Sequence, residues 1–178
     1  MNAAMTAVMA IGMLPRGAEL DRSPSEILRG INAKLYEKTD KRVFVVLLLA
    51  TFDRTARRMR FSNAGQSMPI RRRGADLKYL TGAGDRFPLG VLERAAYEDC
   101  HVDLQPGDIL VFTSDGATDA RRADGTFFDA AGVEQVVRNL PQDLSARDMV
   151  QRIVEAVQAV TGDRQAHDDV TVVVVKVR

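Results

Sequence analysis

Cysteine and histidine are scarce: Cys100, His101 and His167 are the only such residues among 178. A single cysteine excludes an internal disulfide framework, and so few Cys and His exclude the zinc sites built from four such ligands. That cysteine usage is expected of an intracellular, cytoplasmic chain. An excess of either charge is also lacking. Twenty-five Lys and Arg face 24 Asp and Glu, a formal net charge of +1, which is not the field of a protein that neutralises nucleic-acid phosphates. The uncharged opening Met1–Leu14 is shorter than the roughly 20 residues that cross a bilayer and lacks the basic start of a secretory signal. Neither nucleic acid nor membrane is expected as a partner of this segment. What is present, 46% hydrophobic and 28% charged residues, suffices for one folded domain with a sizeable core.

The residues suggest a sequence of short elements. Ala3–Ile11 is alanine-rich, favours helix and leaves almost no polar face, which predicts burial on nearly every side. Ser23-Pro24-Ser25-Glu26 combines an N-cap serine, a proline at the first helical position and a glutamate three residues after the cap. A helix should start there, with Ile27, Leu28, Ile31 and Leu35 as its apolar stripe. Val43–Phe52 is uncharged and apolar, and predicts a central strand buried on both faces. Arg58–Asn63, Met68–Arg72 and Leu77–Leu80 suggest an antiparallel meander. In Tyr97–Leu104, Cys100, Val102 and Leu104 share one face, and Asp99, His101 and Asp103 the other. Gln105-Pro106-Gly107-Asp108 suits a type II turn leading, as a hairpin, into the apolar strand Ile109–Thr113. Helices are expected over about Ala130–Leu140 and Ser145–Thr161, the second with Ser145 and Asp148 as a capping pair and an apolar stripe of Met149, Val150, Ile153, Val154, Val157 and Val160, then a last strand over Val170–Val177. With about seven strands grouped by hairpins and three or four helices, the fold class is α+β.

Two buried strands carry acids at their ends. Asp115 follows Ile109–Thr113, and Asp168 and Asp169 precede the run from Val170. If these strands are antiparallel neighbours, Asp115 and Asp168 reach one rim, where a hard divalent cation relieves their repulsion. Taken alone, the same residues read better as a turn and a polar strand entry, since Asp-Gly is a weak signal. Cys100 and His101 point to opposite faces of one strand and make no catalytic pair. His167 could assist a proton transfer, although a loop histidine is more often solvated. Arg71-Arg72-Arg73 suggests a docking patch for an acidic partner or a solvated turn.

Five motifs, in order, resemble those of the metal-dependent protein phosphatases: Phe61–Gly65, Phe87–Gly90, Leu104–Asp108, Phe112–Ala120 and Asp168–Thr171. The likeness is greatest to the bacterial branch typified by the stage II sporulation protein E phosphatase domain, and it extends over residues 1–178 as a single domain. The resemblance implies two stacked antiparallel β-sheets flanked by helices, an α-β-β-α sandwich. It implies a binuclear Mn2+ or Mg2+ centre that hydrolyses phosphoserine or phosphothreonine with a metal-activated water. Asp115 and Asp168 would be the catalytic metal ligands, and Asp119 would serve an additional, weaker metal. The implied partner is a phosphorylated regulatory protein, of the kind that antagonises anti-sigma factors.

The departures shape the expectation too. The Gly-Asp motif that supplies the bridging aspartate in such phosphatases has no match here, and Met1–Met5 resembles the start of the helix that follows it. The domain is therefore expected to be truncated at its N-terminus, with weak or absent activity, because hard cations need about six oxygen ligands. Gln66 stands where relatives usually carry histidine. The rival expectation is a noncatalytic, pseudophosphatase-like interaction module that dimerises through exposed sheet edges.

Overall fold

Ser23 opens a helix as its neighbours require. Its Oγ accepts from the Glu26 N–H (3.3 Å), and its own N–H donates to Glu26 Oε2 (2.8 Å), closing a capping box. Asp99 adds to that end from across the chain, its Oδ1 accepting from the Ser25 N–H (2.8 Å). In a computed structural model that describes residues 3–39, 43–122, 124–161 and 169–178, the elements in order are α1 (Ala3–Glu19), α2 (Pro24–Lys38), β1 (Leu47–Asp53), β2 (Arg58–Ala64), β3 (Ile70–Arg73), β4 (Asp76–Tyr79), β5 (Cys100–Asp103), β6 (Ile109–Thr113), α3 (Asp115–Thr118), α4 (Asp129–Asn139), α5 (Ala146–Thr161) and β7 (Val172–Lys176). The architecture is mixed α+β, with two antiparallel sheets plus helices, ordered β1-β2-β5 and β4-β3-β6-β7. Each sheet anchors one compact unit, Met1–Gln66 with Gly82–Asp103, and Ser67–Thr81 with Leu104–Arg178. Among the described residues no helix is long and apolar enough to cross a membrane.

In the first unit α2 turns Ile27, Leu28, Ile31 and Leu35 toward Ala64 of β2 and toward Leu89, Ala95 and Tyr97, with Ala10 of α1 joining the same cluster. Burying each large side chain contributes about 1.5–3 kcal/mol against chain entropy. Buried Asn32 adds a polar tie: its Nδ2 donates to the carbonyls of Leu92 (2.9 Å) and Glu93 (3.2 Å), and its Oδ1 accepts from the Gly90 N–H (2.8 Å). Gly90 has φ +89°, a conformation that costs glycine nothing.

Several expectations change here. Helix α1 is apolar but buried on one face only; Val8 and Ile11 remain 69% and 63% exposed. The Val43–Phe52 run yields an edge strand, β1, that starts at Leu47, while the central strand of its sheet is β2. Composition measured apolarity, but position in the sheet is set by pairing. The meander is also divided. β2 pairs with β1 and β5, whereas β3 pairs with β4 and β6. Likewise the Gln105–Asp108 turn forms as expected, with Gly107 at φ +92° and the Asp108 N–H on Gln105 O (3.0 Å), yet it passes the chain from one sheet to the other and closes no hairpin.

In the second unit Met149, Ile153 and Val157, one helical turn apart on α5, are buried with Val133 and Val137 of α4 and with Ile70, Ile109 and Val111 of the sheet. Ser145 and Asp148 form the expected cap, the Asp148 N–H on Ser145 Oγ (3.2 Å) and the hydroxyl on Asp148 Oδ2 (2.7 Å). The arginine run is neither a docking patch nor a solvated turn. It is strand β3, whose alternation buries Arg72 and pairs Arg73 with buried Asp108.

Candidate metal centre

The strands that the acids need as neighbours are neighbours. β6 and β7 run antiparallel with Thr113 opposite Val172, so the end of one lies beside the start of the other. Ser114 fastens that junction. Its N–H donates to Thr171 O (3.0 Å), its hydroxyl donates to Asp169 O (3.1 Å), and the same oxygen accepts from the Thr171 N–H (2.9 Å). The sequence marks Ser114 only as part of the Phe112–Ala120 motif; although it precedes α3, its side chain makes no cap hydrogen bond there and spans two strands instead.

Asp115 begins α3 and Asp119 caps its end, four residues on, with the Asp119 N–H donating to Asp115 O (2.8 Å). Residues at this spacing share a helix face. Thr118 Oγ1 lies between them, 2.9 Å from Asp115 O and 3.3 Å from Asp119 Oδ1. Asp115 Oδ1 accepts only from the N–H of Gly116 (3.1 Å) among the described residues. Both carboxylates are exposed, and no lysine or arginine pairs with either among the described residues. Ala117 and Ala120 bury the opposite side of this turn in the core.

Asp168 and His167 lie outside the described residues. Asp169 is described, exposed and joined to Ser114 through its carbonyl. Among the described residues no three His, Cys, Asp or Glu side chains gather into a group able to hold a metal ion. The chemistry of the donors nevertheless suits one. Asp115 and Asp119 offer hard oxygen atoms that no cationic side chain neutralises among the described residues, which is the donor set for Mg2+ or Mn2+ rather than for zinc. Cys100 and His101 take no part: Cys100 Sγ accepts from the Ala83 N–H (2.9 Å), and His101 is exposed on the other face of β5. At Gln66 the backbone is gripped by Asn63, whose Oδ1 accepts from the Gln66 N–H and whose Nδ2 donates to Gln66 O, both at 2.8 Å.

Comparison with known proteins fits this arrangement. The family described as stage II sporulation protein E (SpoIIE) matches residues 1–178. Over 153 residues the chain is 24% identical to the phosphoserine phosphatase RsbU of Bacillus subtilis (strain 168), a match covering 86% of this chain and 45% of RsbU; the chain thus spans less than half of that relative. Its fold is that of the SiaA PP2C domain of Pseudomonas aeruginosa, with TM-score 0.86 and 20% identity over 98% of this chain and 70% of that one. It also matches the PP2C phosphatase domain, with a fragment of the regulatory domain, of SpoIIE from Bacillus subtilis, with TM-score 0.81 and 22% identity over 97% of this chain and 50% of the other. With motifs, sheets and matched residues in agreement, the chain belongs to the stage II sporulation protein E family of metal-dependent protein phosphatases.

Proposed function

We propose that residues 1–178 act as a single domain that hydrolyses phosphoserine or phosphothreonine in a regulatory protein of the cytoplasm, with Asp115 and Asp168 as the catalytic metal ligands. The observation that supports this most is the β6–β7 register, which sets the strand end bearing Asp115 beside the strand start that Asp168 precedes. Asp119, one helical turn from Asp115, would hold an additional, weaker ion. When bound, Mn2+ or Mg2+ supplies a nucleophilic water and neutralises phosphoryl oxygens. The chain's own part is to fix the donors. Ser114 locks the two strand ends, and Thr118 steadies the α3 turn that presents Asp115 and Asp119. No serine or cysteine nucleophile is invoked. RsbU carries the name phosphoserine phosphatase, and an antagonist of an anti-sigma factor is the substrate class we assign by that likeness.

These carboxylates supply fewer oxygens than two hexacoordinate ions require, so the chain as it stands should turn over weakly or not at all. A second reading, a noncatalytic module that pairs with another copy through an open strand edge, is favoured by the edge position of β1 among the described strands of its sheet. Phosphate release from a phosphoserine peptide, with and without Mn2+, separates the two. Metal-dependent release that disappears in Asp115→Asn supports catalysis. No release together with no saturable Mn2+ binding leaves the module.

A further inference from the structure

Beyond Asp119 the chain folds back on itself. Arg121 and Phe127 face each other as an antiparallel bridge, the Phe128 N–H donates to Ala120 O (2.7 Å) and the Arg122 N–H to Thr126 O (2.7 Å). Alternation across this ribbon sorts the side chains. Ala120 and Phe128 enter the core, while Arg121 and Phe127 are exposed. The two adjacent arginines therefore differ in kind. Arg122 is half-buried, its Nη1 donates to Phe127 O, and its guanidinium lies 5.5 Å from the centroid of the Phe128 ring. Arg121 stacks at 4.4 Å over the Phe127 ring, and among the described residues its guanidinium has no carboxylate or carbonyl partner, although Asp119 is two residues away.

We propose that Arg121, laid on Phe127, determines substrate preference by gripping a carboxylate side chain next to the phosphoserine of the protein substrate. Stacking holds the planar guanidinium in one orientation and leaves its N–H edge open, and that fork matches a carboxylate through two parallel hydrogen bonds. The guanidinium leans across the ribbon onto the Phe127 arm and does not pair with Asp115 or Asp119. It is thus placed for a group flanking the phosphoryl rather than for the phosphoryl itself. This assignment rests on the phosphatase reading for the identity of the partner, but the grip is a binding property and is measured without turnover.

The test uses two fluorescent phosphoserine peptides, one with glutamates flanking the phosphoserine and one with glutamines there. Affinity is measured by anisotropy for the 178-residue chain, for Arg121→Ala and for Arg121→Lys, with melting curves to confirm folding. The unaltered protein should prefer the glutamate peptide. Arg121→Ala should weaken that peptide about tenfold, the scale of one charge-assisted contact, leave the glutamine peptide unchanged, and Arg121→Lys should fall between. Equal affinity for both peptides in the unaltered protein, no binding of either, or equal weakening of both in Arg121→Ala overturns the proposal. Phosphate release is followed in the same samples. If the glutamate preference depends on Arg121 but neither Mn2+-dependent release nor saturable Mn2+ binding occurs, the catalytic reading fails and this one stands.

Discussion

Arg73 and Asp108 form a bidentate pair, Nε to Oδ1 and a terminal nitrogen to Oδ2 both at 2.7 Å, in which the Asp108 side chain is wholly buried and a third of Arg73 remains exposed. The Gln105 N–H also donates to Oδ2 (2.8 Å), so one carboxylate binds β3 to the turn before β6.

Burial raises the Asp108 pKa, but the hydrogen bonds from Arg73 and the Gln105 amide outweigh it, and the net direction is down. A carboxyl depressed in the folded state stabilises it above the unfolded value of about 3.9, and that stability is lost as pH falls through the folded value. Urea denaturation across this range should show the loss in the unaltered protein. Asp108→Asn should unfold more easily at neutral pH by about 3 kcal/mol, the lower end for a broken buried pair, and the difference should shrink in acid.

Arg72 is 3% exposed, and its Nη1 donates to the carbonyls of Val137 (2.8 Å), Arg138 (3.2 Å) and Leu140, which end α4. Its Nε and Nη2 are buried with no partner among the described residues, and burial lowers its pKa. Arg72→Ala removes the stem from the core and orphans those carbonyls, so it should cost roughly 3 kcal/mol. Thermal unfolding would register this as a drop of several degrees.

Ser114 predicts a separation of stability from metal affinity. Ser114→Ala loses the hydroxyl's bonds to Asp169 and Thr171, about 1 kcal/mol of stability. Because it loosens the two strand ends that carry the acids, Mn2+ affinity should fall by about tenfold or more, the scale for partners of metal ligands. Calorimetric titration against a melting curve checks both.

Tyr97 is fully buried, its hydroxyl donates to Phe87 O (2.8 Å), and its pKa is pushed up to about 12 by burial and by the Asp85 carboxylate. The Tyr79 pKa is raised as well, by burial and by the Glu134 and Asp129 carboxylates, so ultraviolet titration should show two tyrosines titrating above the ordinary phenol range of about 10, with Tyr97 the late step. Tyr97→Phe should remove that late step and cost about 1 kcal/mol.

How much of this was legible in the residues follows from range. Capping at Ser23 and Ser145, the α5 stripe, the β5 alternation and the Gly107 turn are decided within a few residues, and each was readable. Pairing between distant segments was not. The split of β2 and β3 between two sheets, the edge position of β1 and the crossing from β5 to β6 depend on partners tens of residues away. The arginines of β3 misled for the same reason, since the acid that takes Arg73 and the helix end that takes Arg72 lie far along the chain. For the candidate site, the antiparallel β6–β7 pair was the condition set on the acids and it holds, while the Ser114 junction joins segments more than fifty residues apart and carried no local signal.

The central claim is that Asp115 and Asp168 hold a divalent ion between the ends of β6 and β7. The most direct measurement is Mn2+ titration, followed by calorimetry or electron paramagnetic resonance, of the unaltered chain and of Asp115→Asn and Asp168→Asn. The account predicts saturable binding that either substitution weakens severely while the melting temperature without metal is kept. Binding that neither substitution changes, or no saturable binding at all, would contradict it.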